Sequence, residues 1–377
     1  MAVNEEVSDY LRLINTSGIG AVGCNRLLAR FGSVDKALAF VSLKKQTPSC
    51  DWAKEEIKKA QNFGVEIIVK NSPFYPQKLL ELRDAPPLLY AKGNLELLKH
   101  SPVVAMVGTR NASIMGRKIV SKLAYDLTEN NVLIISGMAR GIDSAAHKGA
   151  MYAKNQFGPT IAVLGTGIDK IYPQENEILY QQIARQGLLI SEYPMSTPAQ
   201  TGNFPRRNRI VAALADAVLV GEATHKSGSL ITAKLAADYG RPLFAIPGSP
   251  GDARSEGPNF LLRNGAAWGE KCSDILSCLK QAASACPLHI HKTQESDLFT
   301  NSLDNLQKTV DIPPIASADK NLILEYLSAE GCDADELIRL CKTDAQSLAM
   351  VLIELEMEDK IIRLPGNKIA LTGKKRK

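Results

Sequence analysis

The chain has 377 residues, of which 45% are hydrophobic and 23% are charged, with a formal net charge of +5. This composition excludes a wholly disordered protein, provides for two or three domains, and permits a nucleic-acid partner without requiring one. Seven cysteines without a C-x-x-C pair argue against a zinc ribbon and a closed disulfide framework, so we expect a reduced, cytoplasmic location. An acidic N-terminus without an apolar core predicts neither a signal peptide nor a membrane anchor.

Residues 1–71 have the pattern of a small helical module. Apolar residues at helical spacing flank the turn Gly18-Ile19-Gly20. This pattern is typical of a SAM/helix-hairpin-helix-like unit, whose glycine turn exposes N–H groups to a DNA phosphate. A plain helical hairpin with a glycine C-cap fits equally well. The proline-punctuated residues 72–101, which end in the short strand Leu88–Gly93, predict a linker that docks onto the next domain.

Residues 102–275 alternate strands with helices. The six predicted strands are near-continuous apolar runs, at Val103–Val107, Val132–Ile135, Thr160–Leu164, Leu188–Ser191, Ala217–Val220 and Leu243–Ile246. Runs of this kind separated by helices indicate a parallel sheet covered on both faces. We therefore predict a doubly wound, Rossmann-like α/β domain.

The remaining chain predicts a linker and a second small domain. Periodicity fades over residues 276–317, as in a flexible linker, and returns over 318–371 as three helices and a hairpin, the pattern of a winged helix. Residues 372–377 form a basic tail. The third predicted helix carries Glu354, Glu356, Glu358 and Asp359, which would repel DNA phosphates, so we favour a protein contact for it.

Two glycine turns follow the first two predicted strands of the α/β domain. They are Val107-Gly108-Thr109-Arg110 and the segment from Ser136-Gly137 through Arg140 to Asp143. Each precedes a helix, so each should present backbone N–H groups where anions bind. A parallel sheet places such turns side by side beyond the carboxyl ends of its strands. The sequence therefore predicts one electropositive crevice of phosphate size.

The motifs of common nucleotide cofactors are missing from this domain. The first turn is not G-x-G-x-x-G, the second strand ends without an acidic residue, and no G-x-x-x-x-G-K-[ST] occurs, so we expect neither NAD nor ATP and no other cofactor. The turns that follow the later strands of this domain contain basic residues and one aromatic residue instead. The residues concerned are Lys170, Phe204, Arg206, Arg207, Arg209, Ser227 and Gly228. Arginines, helix N-termini and an aromatic side chain suit single-stranded nucleic acid.

An ordered series of motifs resembles the DprA (Smf) family of bacterial DNA-processing proteins. The motifs are Tyr75-Pro76, Asp84–Tyr90, Val107–Arg110, Ser136–Asp143 with His147, Asn203–Arg209, Ser227–Ser229 and Pro247-Gly248. The resemblance implies a protein that binds single-stranded DNA, forms a homodimer through the Rossmann-like domain, protects incoming DNA and promotes RecA loading in natural transformation and recombination, without bond-making chemistry.

The resemblance also implies which residues contact DNA. By motif position, the groove arginines of the family correspond to Arg110, Arg206 and Arg209, with Lys170 beside them. Together with the turns, the predicted DNA-binding set is Gly108, Thr109, Arg110, Ser136, Gly137, Arg140, Lys170, Phe204, Arg206, Arg207, Arg209, Ser227 and Gly228.

Other interpretations remain open. Similar domains occur in nucleoside monophosphate phosphoribohydrolases, whose glycine turn is paired with a catalytic glutamate; here Glu192 and Glu222 lie near strand ends, although the turn Ser227–Ala233 has no acid. A dimeric scaffold that binds only proteins is a third hypothesis. We expect Asp143 to cap a helix and His147 to be a packing or hydrogen-bonding residue. Cys286, His289 and His291 have no fourth partner, so no metal site is predicted.

Overall fold

The structure is a computed structural model. It describes residues 2–154 and 159–284 and, further along the chain, 323–324, 326–327, 332–341, 348, 352, 355, 361–364 and 368–371. The chain divides into two compact units, Met1–Leu288 and His289–Lys377, and each is described by itself. No helix in the described ranges is long and apolar enough to cross a bilayer.

The N-terminal module is helical, as predicted, and contains four helices. They are α1 (Ala2–Ile14), α2 (Ala21–Phe31), α3 (Val34–Ser42) and α4 (Cys50–Asn62). Helix α2 ends at Gly32, whose φ of 77° is left-handed and whose N–H donates to the Leu28 carbonyl. The helices bury Leu11, Leu13 and Leu38 against one another.

A sheet of nine strands forms the body of the first unit. The strands are β1 (Glu66–Val69), β2 (Leu88–Gly93), β3 (Val103–Val107), β4 (Leu133–Ser136), β5 (Thr160–Leu164), β6 (Leu188–Ser191), β7 (Ala217–Val220), β8 (Leu243–Ala245) and β9 (Ala267–Trp268). Their order is β1-β2-β6-β5-β4-β3-β7-β8-β9. Strands β3 to β9 run parallel, whereas β2 is antiparallel to both β1 and β6. The predicted doubly wound, Rossmann-like sheet is confirmed.

Helices cover both faces of this sheet. They are α5 (Gln77–Leu80), α6 (Ile114–Glu129), α7 (Ile142–Tyr152), α8 (Glu177–Gln186), α9 (Asn203–Leu214), α10 (Gly228–Asp238), α11 (Glu256–Arg263) and α12 (Cys272–Ser284). Side chains of β3 alternate between the two faces: Val103, Ala105 and Val107 pack with α9 and α10, while Val104 and Met106 pack with α6 and α7. Burial on both sides explains why this strand is apolar throughout.

The sheet extends beyond the predicted limits of residues 102–275. Strand β1 lies within the predicted module of residues 1–71, and β2 lies within the predicted linker of residues 72–101, where it pairs with β6 through Tyr90 and Ser191. Helix α12 continues to Ser284, past the predicted boundary at residue 275. A strand of four to six residues carries no local signal for a partner about 100 residues away, so sequence periodicity could not place this pair.

The described part of the second unit agrees with a winged helix. It contains β10 (Cys332–Asp333), α13 (Ala334–Leu340), β11 (Ile361–Leu364) and β12 (Lys368–Leu371), with the strand order β10-β12-β11. Leu337, Ile361 and Ile369 are buried together. The acidic residues of the predicted third helix, residues 285–317 of the predicted linker and the tail 372–377 lie outside the described residues.

Candidate nucleic-acid interface

The carboxyl ends of β3 and β7 mark the point where the winding of the sheet reverses. The two strands are neighbours, and the helices that follow them, α6 and α10, pack on opposite faces. A crevice opens beyond such strand ends in doubly wound sheets. Here it consists of two adjoining hollows with volumes of about 420 and 350 Å³, which share Arg110, Ala139, Tyr172, Phe204 and Arg207. We refer to the two hollows together as the groove.

Aromatic rings and a cation line the middle of the groove. Phe204 lies at the start of α9, and its ring centroid is 5.3 Å from that of Tyr172, with 34° between the planes. The guanidinium carbon of Arg110 is 5.1 Å from the Phe204 ring centroid. Tyr172 is 43% exposed. An exposed cation beside one exposed and one half-buried ring suits stacked bases and a neighbouring phosphate.

Tyr172 was not among the predicted site residues. It follows the third strand of the Rossmann-like core in the turn Gly165–Pro173, which also contains Lys170. An aromatic residue in a basic turn at a strand end was the available signal. Asn208, Thr224 and Ser229 also line the groove and were missed.

In the turns after β3 and β4, protein carboxylates already accept some of the backbone N–H groups that were predicted to bind phosphate. Asp143 Oδ2 accepts hydrogen bonds from the N–H groups of Gly137 and Ala139, at 3.2 and 3.4 Å. Glu222 accepts from the Ser113 N–H at 2.7 Å and from the Ser113 hydroxyl. These N–H groups are not free for a phosphate. Electropositive character in the groove therefore comes chiefly from side chains.

Arg207 forms part of the floor of the groove and is only 3% exposed. Its Nη1 donates to the Val163 carbonyl at 2.6 Å. A Cβ on Gly137 would overlap its guanidinium, so a side chain at that position requires Arg207 to shift. Burial raises the pKa of Asp143 and lowers the pKa of Arg207, and the opposite charge of each residue counteracts the shift of the other. The buried guanidinium of Arg207 therefore packs against the glycine turn that follows β4.

The three arginines of the Asn203–Arg209 segment do not face one groove. Arg206 is exposed on the far side of α9 and, with Arg209, lines a separate cleft. Arg209 is 8% exposed, and its Nε lies 3.0 Å from Asp84 Oδ2 while its Nη2 binds Glu192. Successive helical residues point about 100° apart, which explains the separation.

Of the other predicted residues, all but Lys170 line the groove or support it. Gly108, Thr109, Ser227 and Gly228 line the larger hollow, and Gly137 and Arg140 line the smaller one. Arg140 is exposed and lies 3.4 Å from Glu175. Lys170 is exposed, with its Nζ 4.0 Å from Asp169. Ser136 is buried and its hydroxyl donates to the Met106 carbonyl at 2.6 Å, so its role is to join two strands.

His147 is a buried hydrogen-bonding residue, as predicted. It is fully buried on α7, with Nδ1 2.7 Å from the Thr160 hydroxyl on β5. Burial, assisted by the positive charge of Arg207, lowers the pKa of His147 to about 3. Asp143 lies in the first turn of the same helix, where it holds the preceding turn rather than the helix end.

Neither glutamate of the enzymatic alternative lines the groove. Glu222 is held by Ser113, and Glu192 is paired with Arg209 in the separate cleft. Among the described residues no cluster of three His, Cys, Asp or Glu could hold a metal ion. Cys286, His289 and His291 lie outside the described residues.

Comparison with known families defines the class of protein. Residues 66–280 match the model of "DNA recombination-mediator protein A". Residues 4–46 match a DprA-like N-terminal HHH domain, and residues 307–367 match a DprA winged helix domain. The chain belongs to the DprA (Smf) family of DNA recombination mediators.

Individual relatives agree with this assignment. Protein Smf of Escherichia coli is 35% identical over 306 residues, which cover 81% of this chain and 77% of that protein. Matches to other curated relatives span as little as 49% of their length. DNA processing protein A of Streptococcus pneumoniae is similar in structure, with a TM-score of 0.62 and 36% identity over 71% of this chain and 97% of that one.

A second solved structure, of DNA processing protein A from Helicobacter pylori, has a TM-score of 0.52 and 33% identity. The match covers 58% of this chain and 96% of that chain, and the structure is described in terms of a unique single-stranded DNA binding mode.

Proposed function

We propose that the groove binds single-stranded DNA and that the protein acts by binding alone. In this proposal it protects incoming DNA and promotes the loading of RecA recombinase in natural transformation and recombination. The observation that carries the proposal is the arrangement of Arg110, Phe204 and Tyr172 at the reversal point of the sheet. The reported binding mode of the H. pylori relative supports it.

The chemistry of the groove favours a single strand over a duplex. Bases in a duplex are stacked on one another, whereas those of a single strand are free to stack on Phe204 and Tyr172. Arg110 and Arg140 are exposed beside these rings and are placed to contact phosphates. Such contacts carry no sequence information, so binding should tolerate any sequence.

A homodimer through the Rossmann-like domain is part of the proposal. The sheet ends at β9, a strand of two residues in which Trp268 is 60% exposed. A strand this short offers little backbone for pairing, so the exposed indole is the feature that suits a contact with a second copy. Two joined grooves would bind one strand with higher avidity than either groove alone.

A titration tests the binding proposal directly. Labelled single-stranded and double-stranded oligonucleotides are mixed with the protein at several salt concentrations, and fluorescence anisotropy is followed. We expect a preference for single strands, with log affinity falling against log salt by about 0.7 for each phosphate neutralised. Absence of binding at low salt would contradict the proposal.

Replacing Arg110 by alanine should weaken binding to all sequences alike. The slope of log affinity against log salt should fall by about 0.7, because one phosphate contact is lost. Arg185→Ala is the matched control, since Arg185 is exposed at the end of α8, just before β6 begins, whereas the groove lies beyond the carboxyl ends of the strands. An unchanged slope in Arg110→Ala would remove Arg110 from the site.

A further inference from the structure

A second and larger opening lies on the other side of the first turn of α9. It has a volume of about 870 Å³ and is bounded by the glycine turn and α2 of the N-terminal module, the segment before β2, and the residues after β6. We call it the N-terminal cleft. Clefts of roughly 300 to 1,000 Å³ are typical of ligand sites.

The cleft and the groove meet at the start of α9. Phe204 lines the groove, Arg206 lines the cleft, and Pro205 between them lines both. These three residues are consecutive, so less than one helical turn, about 5.4 Å along the axis, separates the two openings. Pro205 therefore forms a shared border between the two openings.

The lining of the cleft combines cations with aromatic rings. Arg26 and Arg206 are exposed and form no salt bridge within the part of the chain that the structure describes. Tyr193 and Tyr239 contribute ring surface to the same cleft. Helix α2 begins at the cleft, and its N-cap, Gly20, has no side chain to satisfy the first N–H groups. Cations, rings and free N–H groups are what a nucleic-acid strand requires.

A cluster of buried charges lies at the wall of the cleft. Arg209 is more than nine-tenths buried and engages Asp84 and Glu192, yet its Nη1 has no hydrogen-bond partner among the described residues. Glu192 Oε1, a buried acceptor, also has no partner among the described residues, so this ion-pair cluster leaves one donor and one acceptor unsatisfied. The two carboxylates balance only part of the positive charge of the three arginines, so the cleft favours an anion.

We propose that the N-terminal cleft binds the continuation of the single DNA strand that occupies the groove. The strand crosses the first turn of α9 at Pro205, its phosphates meet Arg26, Arg206 and the start of α2, and its bases lie against the tyrosines. This inference rests on the proposed function of the groove. The cleft lies between the helical module and the sheet domain.

Oligonucleotide length separates the two sites experimentally. Affinities of the full chain for oligo-dT of increasing length are measured by anisotropy at one salt concentration, for the wild type, Arg26→Ala and Arg30→Ala. Arg26 and Arg30 are both exposed on α2, but Arg30 lies against Phe31 and Phe40 rather than in the cleft. Neither substitution removes buried packing, so both variants should fold.

We expect Arg26→Ala to weaken binding of long oligonucleotides by roughly two- to tenfold, which is the effect of one lost polar contact. Binding of short ones that fill only the groove should not change, and Arg30→Ala should match the wild type at every length. No loss in Arg26→Ala with long strands, or an equal loss with short ones, would overturn the inference while the groove proposal stands. Duplex binding that depends on Arg26 would also overturn it. Failure of every oligonucleotide to bind the wild type would instead refute the groove itself.

Discussion

Gly137 and Gly228 both line the groove, yet their surroundings differ. A Cβ on Gly137 would overlap the guanidinium of Arg207, whereas nothing lies within 4 Å of the corresponding position on Gly228. We expect Gly137→Ala to displace Arg207 and to lower the free energy of unfolding by about 1–3 kcal/mol, the usual cost of overpacking. It should also weaken single-stranded DNA binding, because the turn beside Arg140 moves.

Gly228→Ala is the matched control for that substitution. We expect its free energy of unfolding to stay within about 0.5 kcal/mol of the wild type. Urea unfolding followed by circular dichroism measures both variants. Equal stability of the two alanine variants would show that Arg207 can move aside and is not a rigid support of the groove.

The sequence predicts which residue types lie near the groove, but it does not predict which way their side chains point. Arg110 and Phe204 were predicted from a turn and a motif, and the structure brings them together. Arg207 and Arg209 were grouped with Arg206 because they are close in sequence. The helix that contains them turns each side chain by about 100° from the last, so clustering in sequence does not place them on one face.

Helix α7 is joined to the middle of the sheet by a buried polar chain. His147 Nδ1 lies 2.7 Å from the Thr160 hydroxyl on β5, which in turn donates to the Ile134 carbonyl on β4 at 2.8 Å. Because the pKa of His147 is lowered to about 3, the folded protein keeps this imidazole neutral down to acid pH.

This depressed pKa predicts a loss of stability on acidification. The unfolded chain binds a proton at His147 near pH 6.5 and the folded chain only near pH 3, so stability falls as the pH drops through that window. Between pH 7 and pH 5, protonation of His147 in the unfolded chain should lower the free energy of unfolding by about 2 kcal/mol. His147→Gln should therefore lose less stability over this interval than the wild type, as measured by urea unfolding at both pH values.

The exposed His225 provides the control. His225→Gln should lose as much stability between pH 7 and pH 5 as the wild type does. An identical pH dependence in His147→Gln and the wild type would contradict the assignment of a neutral, buried imidazole.

Elements with strong local patterns were predicted well. All six predicted strands of the Rossmann-like core occur within one residue of their expected positions, because burial on both faces demands continuous apolar runs. Strands β1 and β9 were missed, and the place of β2 in the sheet was missed as well. They contain four, two and six residues, and long-range pairing rather than periodicity defines their position.

At the scale of the whole molecule, we expect the protein to be a dimer in solution. Trp268→Ser should shift the sedimentation coefficient towards that of a monomer, because it removes an exposed aromatic side chain at the sheet edge. Tyr152→Ser is the matched control, since Tyr152 is 75% exposed but lies at the end of α7, away from that edge. A wild type that sediments as a monomer at micromolar concentration would contradict the expectation.

The antiparallel attachment of β2 to β6 has a practical consequence for the design of shortened proteins. A fragment that began at residue 102 would leave the backbone groups of β6 unpaired along one side. It would also expose apolar residues of that strand to solvent. Bare edges of this kind recruit other strands and promote aggregation. Expression of the sheet domain alone should therefore start no later than Glu66, which is also the first residue of the recombination-mediator match.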